Sequence, residues 1–185
     1  MTPGRPDAEP AEASDGDRVR RRVLWALPTG LYLVGTAAED RWNLMTASWV
    51  VQAATAPPRL AVSVEAGALT LELAGRSGTF AVSLLGRSQR AVVRRFVKPV
   101  IDVARGTDGR PVALAGEPVA VVAGEVPVLA AAWAWLACRL TDRLDLGSHH
   151  LLVGEVVDVG APGEGAGDDD GGPLRMEDTR MHYGG

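Results

Sequence analysis

Pro57-Pro58-Arg59-Leu60-Ala61-Val62-Ser63-Val64-Glu65-Ala66-Gly67-Ala68-Leu69-Thr70 is the stretch from which the fold is read. Leu60, Val62 and Val64 recur at a spacing of two, so they share one face of a strand, while Ala61 and Ser63 share the other. The proline pair forces an extended entry into that strand. Small residues then end it, and Thr70 opens a short helical pattern over 69–76 that Gly75 or Gly78 closes.

Outward from this unit the same grammar repeats. Upstream, 30–36 is an apolar run ending at the polar Glu39-Asp40 turn, and 44–52 carries β-branched and aromatic residues at strand spacing. Downstream, Phe80, Val82 and Leu84 alternate after Gly78, and the runs 119–126, 130–141 and 149–159 read as further strands. Helical pattern is sparse; Val92, Val93 and Phe96 within 89–97 fit a helix packed on the strands. Many short strands with few helices predict a mainly β protein, a closed or nearly closed antiparallel barrel.

A chain of 185 residues, 46% of them hydrophobic, suffices for one domain with its own core. The expected organisation is a disordered tail over 1–20, a folded unit over 21–160, a flexible Gly/Asp-rich loop over 161–173, and a segment over 174–185 that packs back on the domain. A net charge of −4 gives no basic surplus of the kind that marks a nucleic-acid binder. Arg18, Arg20, Arg21 and Arg22 read as a solvated lead-in. No apolar run is long enough for a membrane span and no leader peptide is visible, so a cytoplasmic location follows by elimination. The single cysteine, Cys138, lies in an apolar run and reads as an inert buried thiol.

Common catalytic patterns are missing: no dinucleotide or phosphate-loop glycine motif and no Gly-x-Ser-x-Gly elbow. His149 and His150 would point to opposite faces of a strand and cannot chelate one metal, so no metal site is expected. Three stretches stand out. In Asn43-Leu44-Met45-Thr46-Ala47-Ser48-Trp49 small polar residues interrupt a strand, and Thr46, Ala47 and Ser48 would let a flat ring lie against the backbone; an ordinary edge strand reads the same way. In the opening stretch, free N–H groups at the helix start favour an anion and Thr70 adds a hydroxyl, or else Thr70 braces the turn. After Gly147-Ser148, a histidine pair begins a strand and would place one imidazole at a pocket mouth, or serve structure alone.

Taken in order, these stretches resemble the flavin reductase-like, FMN-binding split-barrel proteins. The likeness runs from Leu24 to Gly160 through Leu27-Pro28-Thr29-Gly30-Leu31-Tyr32-Leu33-Val34-Gly35, the Asn43 to Trp49 stretch, 57–70, Gly78-Thr79-Phe80-Ala81-Val82-Ser83-Leu84-Leu85, Arg95-Phe96-Val97-Lys98-Pro99 and a Gly-x-His-x-x-x-x-Gly-Glu-Val pattern from Gly147. The resemblance implies a Greek-key split barrel, a homodimer with FMN near the subunit interface, and NAD(P)H as co-substrate. It implies that Met45, Thr46, Ala47, Ser48 and Trp49 hold the isoalloxazine edge, and that Val64, Glu65 and Thr70 form the turn that takes the phosphate. Phe96 and Lys98 match a segment near the flavin, and His149 matches the histidine beside flavin and nicotinamide. Glu65 stands where relatives often carry a basic residue, and Ser148 where they carry an acidic one. The activity so implied is hydride transfer from a nicotinamide cofactor to FMN, with reduced flavin passed to a flavin-dependent monooxygenase or another electron acceptor. The alternative is a flavoredoxin-like electron carrier without nicotinamide turnover, or a non-catalytic flavin- or heme-storing dimer of the same barrel type.

Overall fold

The computed structural model describes residues 14–160 and 172–179. Eleven strands and two α-helices follow the order α1 (Asp15–Trp25), β1 (Tyr32–Ala38), β2 (Arg41–Ala47), β3 (Val50–Thr55), β4 (Pro58–Glu65), α2 (Leu69–Ser77), β5 (Thr79–Leu84), β6 (Val103–Arg105), β7 (Pro111–Leu114), β8 (Glu117–Val122), β9 (Val126–Leu129), β10 (Ala134–Asp145) and β11 (His149–Gly160). A 3₁₀ segment, Arg87–Phe96, follows β5, and a single 3₁₀ turn, Met176–Asp178, lies in the last described stretch.

Seven strands form one antiparallel sheet in the order β2-β1-β5-β10-β11-β4-β3, and β6-β7-β8-β9 form a smaller one. Because β2 and β3 are consecutive in the chain yet stand at opposite edges of the large sheet, the sheet must curl on itself between them. This is the split barrel, and the mainly β expectation holds. Inside it pack Val34, Val62, Val64, Phe80, Val82 and Leu152. On the other side of β1 a second core joins Leu33, Leu44, Val93, Phe96, Leu114 and Leu129. Since β1 is covered on both faces, its sequence is a continuous apolar run rather than an alternating one.

Several element boundaries differ from expectation for local reasons. The run 44–52 is broken at Ser48 and Trp49 into β2 and β3, and 119–126 turns at Ala123 and Gly124, both at positive φ, into β8 and β9. The strand expected at 130–141 begins later, at Ala134, and extends to Asp145 in a long hairpin with β11. β6 and β7 were too short to announce themselves. Helix α1 begins inside the stretch expected to be disordered. Ser14 caps it by accepting the Asp17 N–H at 3.1 Å, and Asp15 and Asp17 in the first turn pair with Arg18 and Arg20. Residues 1–13 lie outside the described set, as do 161–171 of the expected loop. Residues 172–179 run alongside the body, with β-bridges Gly30 to Arg175 and Gly86 to Pro173 and a buried Leu174.

Candidate functional site

β2 is an edge of the large sheet and, among the described residues, pairs with β1 alone, so its outer edge offers backbone N–H and C=O groups with no described strand opposite. Thr46 on this strand donates its hydroxyl to the Val93 carbonyl at 2.6 Å, which fastens the 3₁₀ segment beside the strand. Met45 and Thr46 are half-buried, Ala47 and Ser48 are buried, and Trp49 is 40% exposed. The Trp49 carbonyl accepts the Ser63 N–H at 3.0 Å, docking the connection on β4.

At the far end of β4, Glu65 lies opposite His149 across the β4–β11 pair. The His149 ring stands 5.0 Å from the Trp49 ring at a tilt of 54°, and its Nδ1 is 3.0 Å from the Ser148 hydroxyl. His150 turns away to Arg143, whose Nε donates to its Nδ1 at 3.3 Å. Trp49, Glu65 and His149 are thus brought together at one end of the barrel, with Glu65 exposed.

Three expected contacts need correction. The Thr70 side chain is 1% exposed and its hydroxyl accepts the Asn43 Nδ2–H at 3.0 Å, so it braces the interior instead of facing a ligand. Asn43 also accepts the Val100 N–H at 3.0 Å, joining β2, α2 and the chain after the 3₁₀ segment through one amide. Val64 and Phe96 are fully buried in the two cores, and their side chains cannot touch a bound ring. Lys98 is exposed near this junction. What α2 does offer is its N-terminus. Ala68 supplies no side-chain cap, and Gly67, at φ 84°, would meet nothing within 4 Å if it bore a Cβ. The Ala68 N–H is taken by the Glu65 carbonyl at 3.1 Å and the Leu71 N–H by the Ala68 carbonyl at 3.0 Å, so what the turn offers an anion is the open side at Gly67 and the positive end of the helix.

Two concavities border the 172–179 segment. A cleft of about 820 Å³ runs between the end of α1 and the 172–179 segment, lined by Trp25, Tyr32 and Met176 among others; Tyr32 is the register partner of Ala47. Burial raises the Tyr32 phenol above its ordinary pKa, so it stays protonated. A second of about 430 Å³ is lined by Arg90, Ala91, Arg94, Asp178 and Thr179. Neither concavity was foreseen, because each is made by residues far apart in the chain.

The family model described as flavin reductase like domain matches residues 24–185. The chain belongs to the flavin reductase-like family. Within that family it is 33% identical over 150 residues to a flavin reductase (NADH) of Kitasatospora aureofaciens, covering 80% of this chain and 73% of the relative. It is 34% identical over 181 residues to an NADPH-flavin oxidoreductase of Streptomyces viridifaciens, covering 92% and 84%. The styrene monooxygenase flavin reductase of Pseudomonas putida S12 superposes with a TM-score of 0.64 at 27% identity, covering 77% of this chain and 87% of that one.

The site residues of this flavin reductase-like chain suit a flavin in kind. A flat heteroaromatic ring with a polar rim needs backbone donors and acceptors along one edge and an aromatic neighbour, which the free edge of β2 and Trp49 provide. A phosphate tail needs N–H groups, which the uncapped start of α2 provides. Asn43 opens the stretch singled out in the sequence, and its amide serves there to brace Thr70 and the Val100 N–H.

Proposed function

We propose that the protein is an NAD(P)H-dependent flavin reductase acting on FMN in the cytoplasm, as a homodimer that supplies reduced flavin to a monooxygenase or another acceptor. The observation that carries this reading is the free edge of β2 beside Trp49 and His149, in a chain whose relatives bear reductase names. Those names favour nicotinamide turnover over electron carriage alone.

Bound flavin supplies the hydride-accepting chemistry, and the chain supplies position and electrostatics. The outer edge of β2 between Met45 and Ser48 would orient the ring and offer N–H groups to charge that develops on its polar rim; such fixed donors need no reorganisation during reaction. The start of α2 would hold the phosphate through backbone N–H groups of the 67–70 turn, with Glu65 kept in solvent and Lys98 available as a counter-charge. His149, steadied by Ser148 and edged against Trp49, would close the mouth and keep the nicotinamide over the flavin. No side chain need move a proton for a hydride to pass between the two rings.

For the dimer, the support is apolar surface left in water: Val51 on β3, Leu144 on β10, and Val157 and Val159 on β11 are each about half exposed or more. A monooxygenase partner is supported by the structural relative from Pseudomonas putida, which is named as a component of such a system. The test is to record the visible spectrum of the purified protein and follow NADH and NADPH loss with and without added FMN. Flavin-dependent consumption is expected; a protein that consumes neither cofactor contradicts the reading.

A further inference from the structure

Between positions 41 and 175, Arg90 and Arg94 are the two arginines without a partner among the described residues. Every other arginine there meets a carboxylate, a carbonyl or an imidazole: Arg41 with Glu72, Arg87 with Asp178, Arg95 with Glu117, Arg105 with the Asp40 carbonyl and Arg143 with His150 are examples. The remainder pair with acidic side chains. Arg90 and Arg94 instead line the same concavity of about 430 Å³. Two like charges at one hollow repel each other until an anion sits between them, and the guanidinium fork matches phosphate oxygens.

The one carboxylate in that hollow is already compensated. Asp178 Oδ2 lies 3.2 Å from Arg87 Nε and accepts the Arg175 N–H at 2.9 Å. The position of the arginines also bears on the site. Val93 stands between them in the 3₁₀ segment, and its carbonyl takes the Thr46 hydroxyl of the β2 edge. The charged pair therefore rides on the element fastened to the stretch assigned to the flavin ring.

We propose that Arg90 and Arg94 form a phosphate receptor that fixes one end of a nucleotide bound along β2. This rests on the reading above that nucleotides are the ligands. The phosphate has two sources, the diphosphate of the nicotinamide dinucleotide or the ester of FMN, which would then sit here and not at the start of α2; the shared chemistry is a dianion, carried on one phosphate or spread over two.

The test compares the full chain with an Arg90→Ala/Arg94→Ala double variant, and with Arg90→Lys/Arg94→Lys as the conservative control. Both side chains are exposed, so the fold is expected to survive. Dissociation constants for FMN and riboflavin come from flavin fluorescence, and KM values are measured for NADH, NADPH and reduced nicotinamide riboside. If flavin supplies the phosphate, the alanine pair weakens FMN about tenfold and leaves riboflavin alone. If the dinucleotide supplies it, the KM for NADH or NADPH rises about tenfold while that for the riboside stays put. The lysine pair restores part of either loss, because charge remains and the fork does not. A double alanine variant that keeps both discriminations overturns the proposal. Should the wild-type protein reduce no flavin, the reductase reading fails on its own, and pyrophosphate still decides this one. Broadening of the pyrophosphorus resonance by the wild type but not the alanine pair supports the receptor; equal broadening, or none, overturns it.

Discussion

Thr70 shows how much a single hydrogen bond can reassign. Its hydroxyl has the chemistry to hold a phosphate, yet it is spent inside on Asn43, and under the proposed function only the backbone of the same turn is left for that contact. Thr70→Val is therefore expected to cost about 1–3 kcal/mol of stability by orphaning the Asn43 amide. FMN and riboflavin should then weaken together or not at all in a fluorescence titration. A loss confined to FMN would return the hydroxyl to the phosphate. Cys138 makes a second residue-scale prediction. Burial pushes its thiol from 9.0 to about 12, so the folded state keeps a proton that the unfolded state releases above pH 9. The thiol's contribution to stability is present below that pH and falls away as pH rises toward 12. In urea melts, wild type should lose about 1 kcal/mol more than Cys138→Ala for each pH unit in that window. Parallel curves would show that the thiol titrates normally.

At the scale of elements, the packing of the two sheets depends on Gly35. A Cβ at this position of β1 would lie 1.8 Å from the Pro127 carbonyl oxygen of β9, a backbone atom that cannot swing aside. Gly35→Ala should destabilise the protein by about 3 kcal/mol in chemical denaturation, whereas Gly67→Ala, in open space but at positive φ, should cost about 1 kcal/mol. Equal costs would mean β9 does not seat on β1. Elements whose pattern is local were readable from sequence. Leu60, Val62 and Val64 declare β4 by alternation, and Gly78 at φ 70° ends α2 where a glycine was expected to. The Ser48–Trp49 break was hidden because strand-forming residues flank it without a glycine or proline, and β2 and β3 part only when they reach opposite edges of the sheet. Helix α1 was hidden by its charge: Val19, Val23 and Leu24 are set among Asp and Arg residues in a polar lead-in, and none of its residues is buried. In the candidate site, Trp49 and His149 were legible one by one. The Arg90–Arg94 hollow was not, since Asp178 and Thr179 reach it only through the returning 172–179 segment.

For the whole molecule, the large sheet curls until its two edges bracket the stretch from β2 to β3, and this places backbone groups, an indole and an imidazole around one end of a barrel. Such a barrel leaves apolar side chains such as Val51 and Val159 in water, and a second copy is the simplest cover for them. Light scattering at micromolar concentration should return twice the 19.4 kDa chain mass. A monomer across that range would remove the dimer while leaving the barrel intact. The central claim, that this barrel carries hydride from a nicotinamide to flavin, is tested most directly by anaerobic stopped-flow mixing of the FMN-loaded protein with NADH and with NADPH. The flavin absorbance is expected to bleach with at least one of them, faster than that of free FMN. Flavin that stays oxidised with both contradicts it.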